Sequence, residues 1–434
     1  MDKMADVLGR AGAWCGQNKY LSAIKNAFQN FMPLTIAGAI GVLWCNVLVN
    51  DQTGLGLFFK PIMALDFLNP AFQAVNFCTI SCIPVGITLG IAQEIGVWNM
   101  GAERAGYIPG LVGLAAWLSV TNTSHMVEGA KEAFTGIAGN ELGATGLFTG
   151  MIIGVLSVEL FCFFEKQDAL KIKMPEQVPP GVARAFEVLV PATITLIITA
   201  CIGSACYNLT GLYLNDVIKN GIQGPLGAVG ATIPGVMIIY LVIMLFWLVG
   251  IHGNNMLSAV KEALFTPLAL ENVEKFNKGE KPTNIINMYA LQMWGEFGGS
   301  GVTIGLVIAI MIFGKREDNK AIASLSLVPG LFNINETVTF GIPMVLNPIL
   351  GIPFVVAPLI TIIIGYVLTV IGFCPVACLT VPWTTPPIVF GFLACGANVM
   401  GAVTQAILIV VSTVIYTPFL ISYEKYQNKQ AAEA

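Results

Sequence analysis

Two ionisable side chains stand where charge is hardest to keep. His252 follows the apolar stretch 229–250, inside Gly250-Ile-His-Gly-Asn-Asn255. Glu336 ends Asn333-Ile-Asn-Glu336, directly before the 87 residues 337–423, which contain no Asp, Glu, Lys or Arg. A carboxylate at the border of such a run must be paired, hydrated or protonated, and ionisable groups in membrane segments mark functional sites by default. Glu336 is therefore a candidate general base or proton site, and His252 a candidate group to orient or polarise a substrate hydroxyl. Each has a plain alternative. Glu336 would merely cap the next helix, and His252 would satisfy the last carbonyls of the preceding one.

Aromatic and amide side chains surround these two in the sequence. Trp247, Trp294 and Trp383 lie beside candidate polar residues, with Glu296 just after Trp294, and Asn254, Asn255, Asn333, Asn335 and Thr384 close by. Sugars have apolar C–H faces and hydroxyl rims, so stacked indoles with Asn, Glu and His at the edges form a chemically sensible sugar site. Tryptophan also belts membrane interfaces, which is the reading for Trp44, Trp98 and Trp117.

The elements that must position these residues are membrane helices. Of 434 residues, 56% are hydrophobic and 11% charged, against about 25% charged in a soluble domain. A formal net charge of -4 leaves no basic stripe for a nucleic-acid partner. The charge-free runs 26–50, 67–93, 105–127, 142–158, 188–215 and 220–260 each suit one helix of about 20 residues. They predict spans near 27–49, 71–92, 105–121, 143–164, 188–207 and 229–250. Lys3, Arg10, Lys19 and Lys25 put the N-terminus on the cytoplasmic side, and no cleavable signal is evident. Segment 165–187, with Lys166, Lys171, Lys173 and Arg184, suits the cytoplasm, and 123–141, with Lys131 and several acids, the outside. The tail, with Lys425 and Lys429, is expected inside.

The run 337–423 is too long for one crossing, so its turns also avoid charge. Pro382, Pro386 and Pro387 cannot continue a helix. Uncharged irregular backbone at membrane depth is viable where it is buried in protein or lines a polar cavity. Segment 375–400 thus reads as a re-entrant hairpin with Trp383-Thr-Thr-Pro-Pro387 at its turn. Three regions are expected: 1–210 as a scaffold, 211–226 as an amphipathic connector on the membrane surface, and 227–434 as the transport half, where broken segments hold substrate. Cys78/Cys82 and Cys374/Cys378, spaced four apart, would each share a helix face. With two histidines in the chain they read as small buried apolar residues, and neither a metal nor a cofactor is called for.

Three stretches carry a specific resemblance: Gly250-Ile-His-Gly253; Phe332-Asn-Ile-Asn-Glu-Thr-Val-Thr-Phe-Gly-Ile-Pro343 with Leu346-Asn-Pro348; and Val381-Pro-Trp-Thr-Thr-Pro-Pro387 with Gly391-Phe-Leu. In these, and in length and hydropathy, the chain resembles the lactose/cellobiose family of sugar permeases. Those are the membrane EIIC components of the bacterial phosphoenolpyruvate-dependent phosphotransferase system. Where many relatives have Asn-Glu-Pro, this chain has Asn335-Glu336-Thr337.

The resemblance implies an all-α polytopic membrane protein of the glucose-superfamily EIIC type, with about ten transmembrane helices and two re-entrant hairpins. It implies a homodimer joined through the N-terminal half and a sugar held in the C-terminal half. His252 and Glu336 would face the hydroxyl to be phosphorylated, and a phosphocysteine on a separate soluble EIIB protein would donate the phosphoryl group. The chain stops soon after its last span, which leaves no room for a fused EIIB domain and favours cellobiose or diacetylchitobiose over lactose. The competing class is a proton-coupled sugar symporter with Glu336 as proton site; it explains the broken helices but not the three motifs.

Overall fold

The computed structural model describes residues 10, 13–14, 17–51, 55–125, 134–175, 177–342 and 344–433. Lys3, Lys131 and Pro343, used above, lie outside the described residues. Among the described residues the architecture is helical, apart from the two-residue antiparallel pair Ser124–His125 and Phe134–Thr135. Among the described residues six helical stretches, one of them interrupted, are long and apolar enough to cross a membrane: Lys19–Leu48, Lys60–Met100, Thr145–Glu165, Pro180–Thr210, Gly351–Val370 and Val399–Gln430. Shorter apolar helices run Ile108–Val120, Ile233–Leu248 and Ile304–Phe313. The chain is a polytopic membrane protein.

The described residues form two compact units, one within 17–35 and 77–228 and one within 36–76 and 229–433. In the first, helix Ala144–Glu165 carries Gly146, Gly150 and Gly154 four residues apart, on one face. Lipid gives apolar helices no hydrophobic reason to associate, so close backbone approach must do it. A Cβ on Gly150 would lie 2.2 Å from Thr88 Oγ1, and one on Gly154 3.1 Å from the Thr88 carbonyl. The stripe therefore seats helix Ile83–Met100 directly on its neighbour. At one end Glu165, 3% exposed, takes Arg104 at 2.8 Å and Arg184 at 2.9 Å. Glu187 pairs with the same two arginines at 3.1 and 2.9 Å. The buried carboxylate thus has two cations to offset its desolvation.

The second unit is built around Tyr240, Trp247, Trp294, Phe297, Phe354 and Tyr416, all buried. The irregular segment 296–303 crosses this core, so its carbonyls need partners. The long last helix supplies two: Ser412 Oγ donates to the Val302 carbonyl at 2.9 Å, and Tyr416 OH to that of Gly301 at 2.8 Å. The proline-rich stretch after helix Gly351–Val370 closes on itself, because the amides of Cys378 and Leu379 both bond the Ala394 carbonyl.

Three expectations change. The span 71–92 is not one helix: the chain turns at 80–82 between Asn69–Thr79 and Ile83–Met100. Pro84 has no N–H for the carbonyl at 80, which ends the ladder there. Neither cysteine pair shares a helix. Cys82 lies in that turn, and Cys374 and Cys378 are in irregular backbone. Trp117 is not a belt residue but is fully buried in the first unit.

Candidate functional site

His252 sits where two helices meet. Helix Ile233–Leu248 ends before it, and the short helix Gly253–Met256 begins after it. Gly250 takes φ +81°, a left-handed turn that glycine enters freely. Gly253 lies against the first helix, where a Cβ would come 2.0 Å from the Ile243 carbonyl. The imidazole caps the start of the second helix rather than the end of the first. Its Nδ1 accepts from the Asn255 amide at 3.2 Å. An amide always donates, so in neutral His252 the hydrogen is on Nε2. The ring leans on the buried Trp247, centroids 4.4 Å apart.

Nε2 faces Glu336, 3.9 Å from Oε1. Glu336 opens the helix Glu336–Gly341, and its side chain is 47% exposed, that of His252 37%. At 3.9 Å the two make no direct hydrogen bond. One oxygen about 2.8 Å from each would complete a triangle with them. A hydroxyl held there would accept from Nε2–H and give its proton to the carboxylate.

The residues flanking Glu336 are tied to backbone. Asn333 Oδ1 accepts from the Gly298 amide at 2.6 Å, and its Nδ2 donates to the carbonyls of Trp383 and, at 3.3 Å, Thr385. Asn335, buried, donates to the Ser300 carbonyl at 2.7 Å. The turn 382–385 is closed by the Thr385 amide on the Pro382 carbonyl at 2.9 Å. Trp383 is 42% exposed and Thr384 half-buried. Asn255 is exposed. Of the three candidate tryptophans only Trp383 is exposed: Trp247 and Trp294 are buried, and Trp294 packs on Gly365.

Behind this surface runs a polar chain that begins in the core of the second unit. Tyr240 OH donates to Glu296 Oε1 at 2.6 Å, and Lys261 Nζ pairs with the same oxygen. Lys261 also donates to Asn254 Oδ1 at 3.2 Å, and Asn254 Nδ2 to Ser300 Oγ at 2.9 Å. Glu296 and Asn254 were candidates from sequence; Lys261, Tyr240 and Ser300 were not. Lys261 is the first charge after the run 220–260. The overlooked signal is its place in the first turn of helix Ser258–Asn277, only nine residues beyond His252. The structure brings together His252, Asn254, Asn255, Glu296, Asn333, Asn335, Glu336 and Trp383 in the second unit, with Trp247 as the floor under the imidazole.

Comparison with known proteins gives the family. Residues 25–358 match the family described as phosphotransferase system, EIIC. The chain is 31% identical to the oligo-beta-mannoside-specific EIIC component of Bacillus subtilis (strain 168), over 98% of this chain and 94% of that one. It is 30% identical to the cellobiose-specific EIIC component of Lactococcus lactis subsp. lactis (strain IL1403), over 98% of each. Its fold matches the crystal structure of the transporter ChbC, the IIC component from the N,N'-diacetylchitobiose-specific phosphotransferase system, with TM-score 0.88 and 29% identity over 97% of each chain. The motifs around His252, Glu336 and Trp383, the helical membrane fold and these matches together establish that the chain belongs to the EIIC family, the membrane permease components of the sugar phosphotransferase system.

Proposed function

We propose that this protein takes up a β-linked disaccharide of the cellobiose or diacetylchitobiose type across the bacterial inner membrane and presents it for phosphorylation by a separate EIIB phosphocysteine protein. The carrying observation is the facing pair His252 and Glu336, 3.9 Å apart and both open to a ligand. In the reaction the sugar O–P bond forms as the S–P bond of the donor breaks. Glu336 takes the hydroxyl proton while Nε2–H of His252 holds the oxygen. Trp383 and Thr384 border the sugar ring, with Asn255 at the rim. Asn254, Glu296, Trp247, Trp294, Asn333 and Asn335 support this surface from behind. Phosphorylation adds about two negative charges, which disfavours return through an apolar path.

The proposed arrangement is a glucose-superfamily-like EIIC with about ten spans and two re-entrant hairpins, one of them 375–400, and with both termini cytoplasmic. Residues 1–210 serve as scaffold and homodimer contact, 211–226 as the connector, and 227–434 as the moving transport half. Arg104, just before the third expected span, pairs with Glu165 of the segment assigned to the cytoplasm, so the two lie on one side, as this orientation requires. The substrate class rests on the sugars named for the relatives above.

The test supplies inverted membrane vesicles with cellobiose, diacetylchitobiose or lactose. One set receives phosphoenolpyruvate with the soluble phosphocarriers and EIIB, the other a proton gradient alone. Phosphorylated cellobiose or diacetylchitobiose in the first set supports the reading. Uptake driven by the gradient, with no sugar phosphate, would replace it with a symporter that uses Glu336 as its proton site.

A further inference from the structure

Three irregular turns meet beside Glu336, and two asparagines join them. Asn333 stands at φ +62°, in the left-handed region that Asn tolerates better than most residues. From there its amide oxygen accepts from Gly298 N–H, while its amide nitrogen donates to the carbonyls of Trp383 and Thr385. Two residues on, buried Asn335 donates to the Ser300 carbonyl. The turn it grips is shaped to receive it: Gly298, Gly299 and Gly301 all have positive φ, and a Cβ on Gly299 would fall 2.5–2.8 Å from the Asn335 side chain.

We propose that Asn333 and Asn335 are positioning residues, a double clamp that locks turns 298–301 and 383–385 to the segment 333–336 and so holds Glu336 opposite His252. This rests on the phosphotransfer role given above. The two amides flank the carboxylate in sequence and are spent on backbone on either side of it, which leaves Glu336 as the group of this segment directed to the reaction. A glycine stripe alone would leave these turns free to shift. The clamp supplies the missing constraint, and a displacement of about 1 Å at a reacting group is enough to lower a rate about a hundredfold.

The clamp is tested with Asn333→Gly and Asn335→Ala in the full-length protein. Glycine at 333 keeps the left-handed backbone and removes only the side-chain bonds. In each variant the phosphorylation rate should fall about tenfold to a hundredfold; in Asn335→Ala, which leaves the Trp383 turn tied, the dissociation constant for the disaccharide should change by less than about threefold. Parallel losses in rate and affinity in Asn335→Ala would make that asparagine a sugar ligand and overturn the proposal, as would an unchanged rate in either variant. A second readout needs no sugar. With native cysteines replaced, Thr384→Cys should react with a small thiol reagent about tenfold faster when Asn333 is glycine, and equal reactivity would contradict the clamp. If the unmodified protein phosphorylates no disaccharide, the functional reading fails, and the thiol readout still decides whether the clamp exists.

Discussion

Nε2 of His252 and Oε1 of Glu336 face each other across 3.9 Å, while Nδ1 of the same ring is committed to the Asn255 amide. One hydrogen bond thereby fixes both the tautomer and the direction of the imidazole. The ring is held by a helix start on one side and by Trp247 beneath. A cap and the proposed reactive group are compatible in one side chain, although the cap read from sequence, at the end of the preceding helix, is replaced by one at the start of the next.

That dual role is separable by substitution. His252→Asn keeps a side chain able to cap the helix start, whereas His252→Ala removes both functions. Both variants should phosphorylate sugar about a hundredfold more slowly than the unmodified protein, and only the alanine variant should lose thermal stability. Full phosphorylation by either would reduce His252 to a cap.

Trp383 is the one exposed residue among the three candidate tryptophans. Trp383→Ala should weaken disaccharide binding about tenfold, roughly 1.4 kcal/mol, with unchanged expression. A cysteine at Thr384 should label readily when the site is empty and much more slowly in saturating sugar. Unchanged labelling, together with normal affinity of Trp383→Ala, would remove this turn from the site.

Lys261 and Glu296 form a nearly buried ion pair that also takes the Tyr240 hydroxyl. Removing one member of such a pair costs about 3–5 kcal/mol, while replacing both together is close to neutral. Lys261→Met and Glu296→Gln should therefore each lower the unfolding temperature in detergent more than the double variant does. Additive losses in the double-mutant cycle would show that the pair is not coupled.

Glu141 offers a pH test away from the spans. It lies in the short helix Gly139–Leu142, buried and hydrogen-bonded by Asn215. Burial, then Asp216, push its carboxyl from 4.5 up to about 7 against the pull of Lys219. A raised acid contributes stability below its ordinary value and loses it as pH rises through the raised one. The unfolding temperature of Glu141→Gln relative to the unmodified protein should therefore climb between pH 4.5 and about 7. A difference that stays constant across that window would mean that Glu141 titrates normally.

Much of the site was legible because polar residues are conspicuous in an apolar chain. Glu336 stands before the longest uncharged run, and Trp383 sits in a proline-rich turn that no helix could absorb. Both inferences need only the energetics of charge and backbone in a membrane. The break at 80–82 was hidden because a turn among Thr79, Ile80, Ser81 and Cys82 carries no charge or glycine to mark it. Lys261 was hidden for a different reason. Its pairing with Glu296, 35 residues away in the chain, depends on the tertiary path of helix Ser258–Asn277 and not on any local pattern. The same holds for Asn333 and Asn335, whose residue type suggested sugar contact while their partners are backbone atoms.

The central claim is that Glu336 accepts the proton of the hydroxyl that attacks the phosphocysteine. Single-turnover transfer from phosphorylated EIIB to sugar, measured with the unmodified protein and with Glu336→Gln, tests it directly. The amide matches the carboxylate in shape but is no base. The account predicts transfer slower by about 10²–10⁴-fold, with membrane insertion and sugar affinity retained. Transfer at the unmodified rate by Glu336→Gln would contradict it.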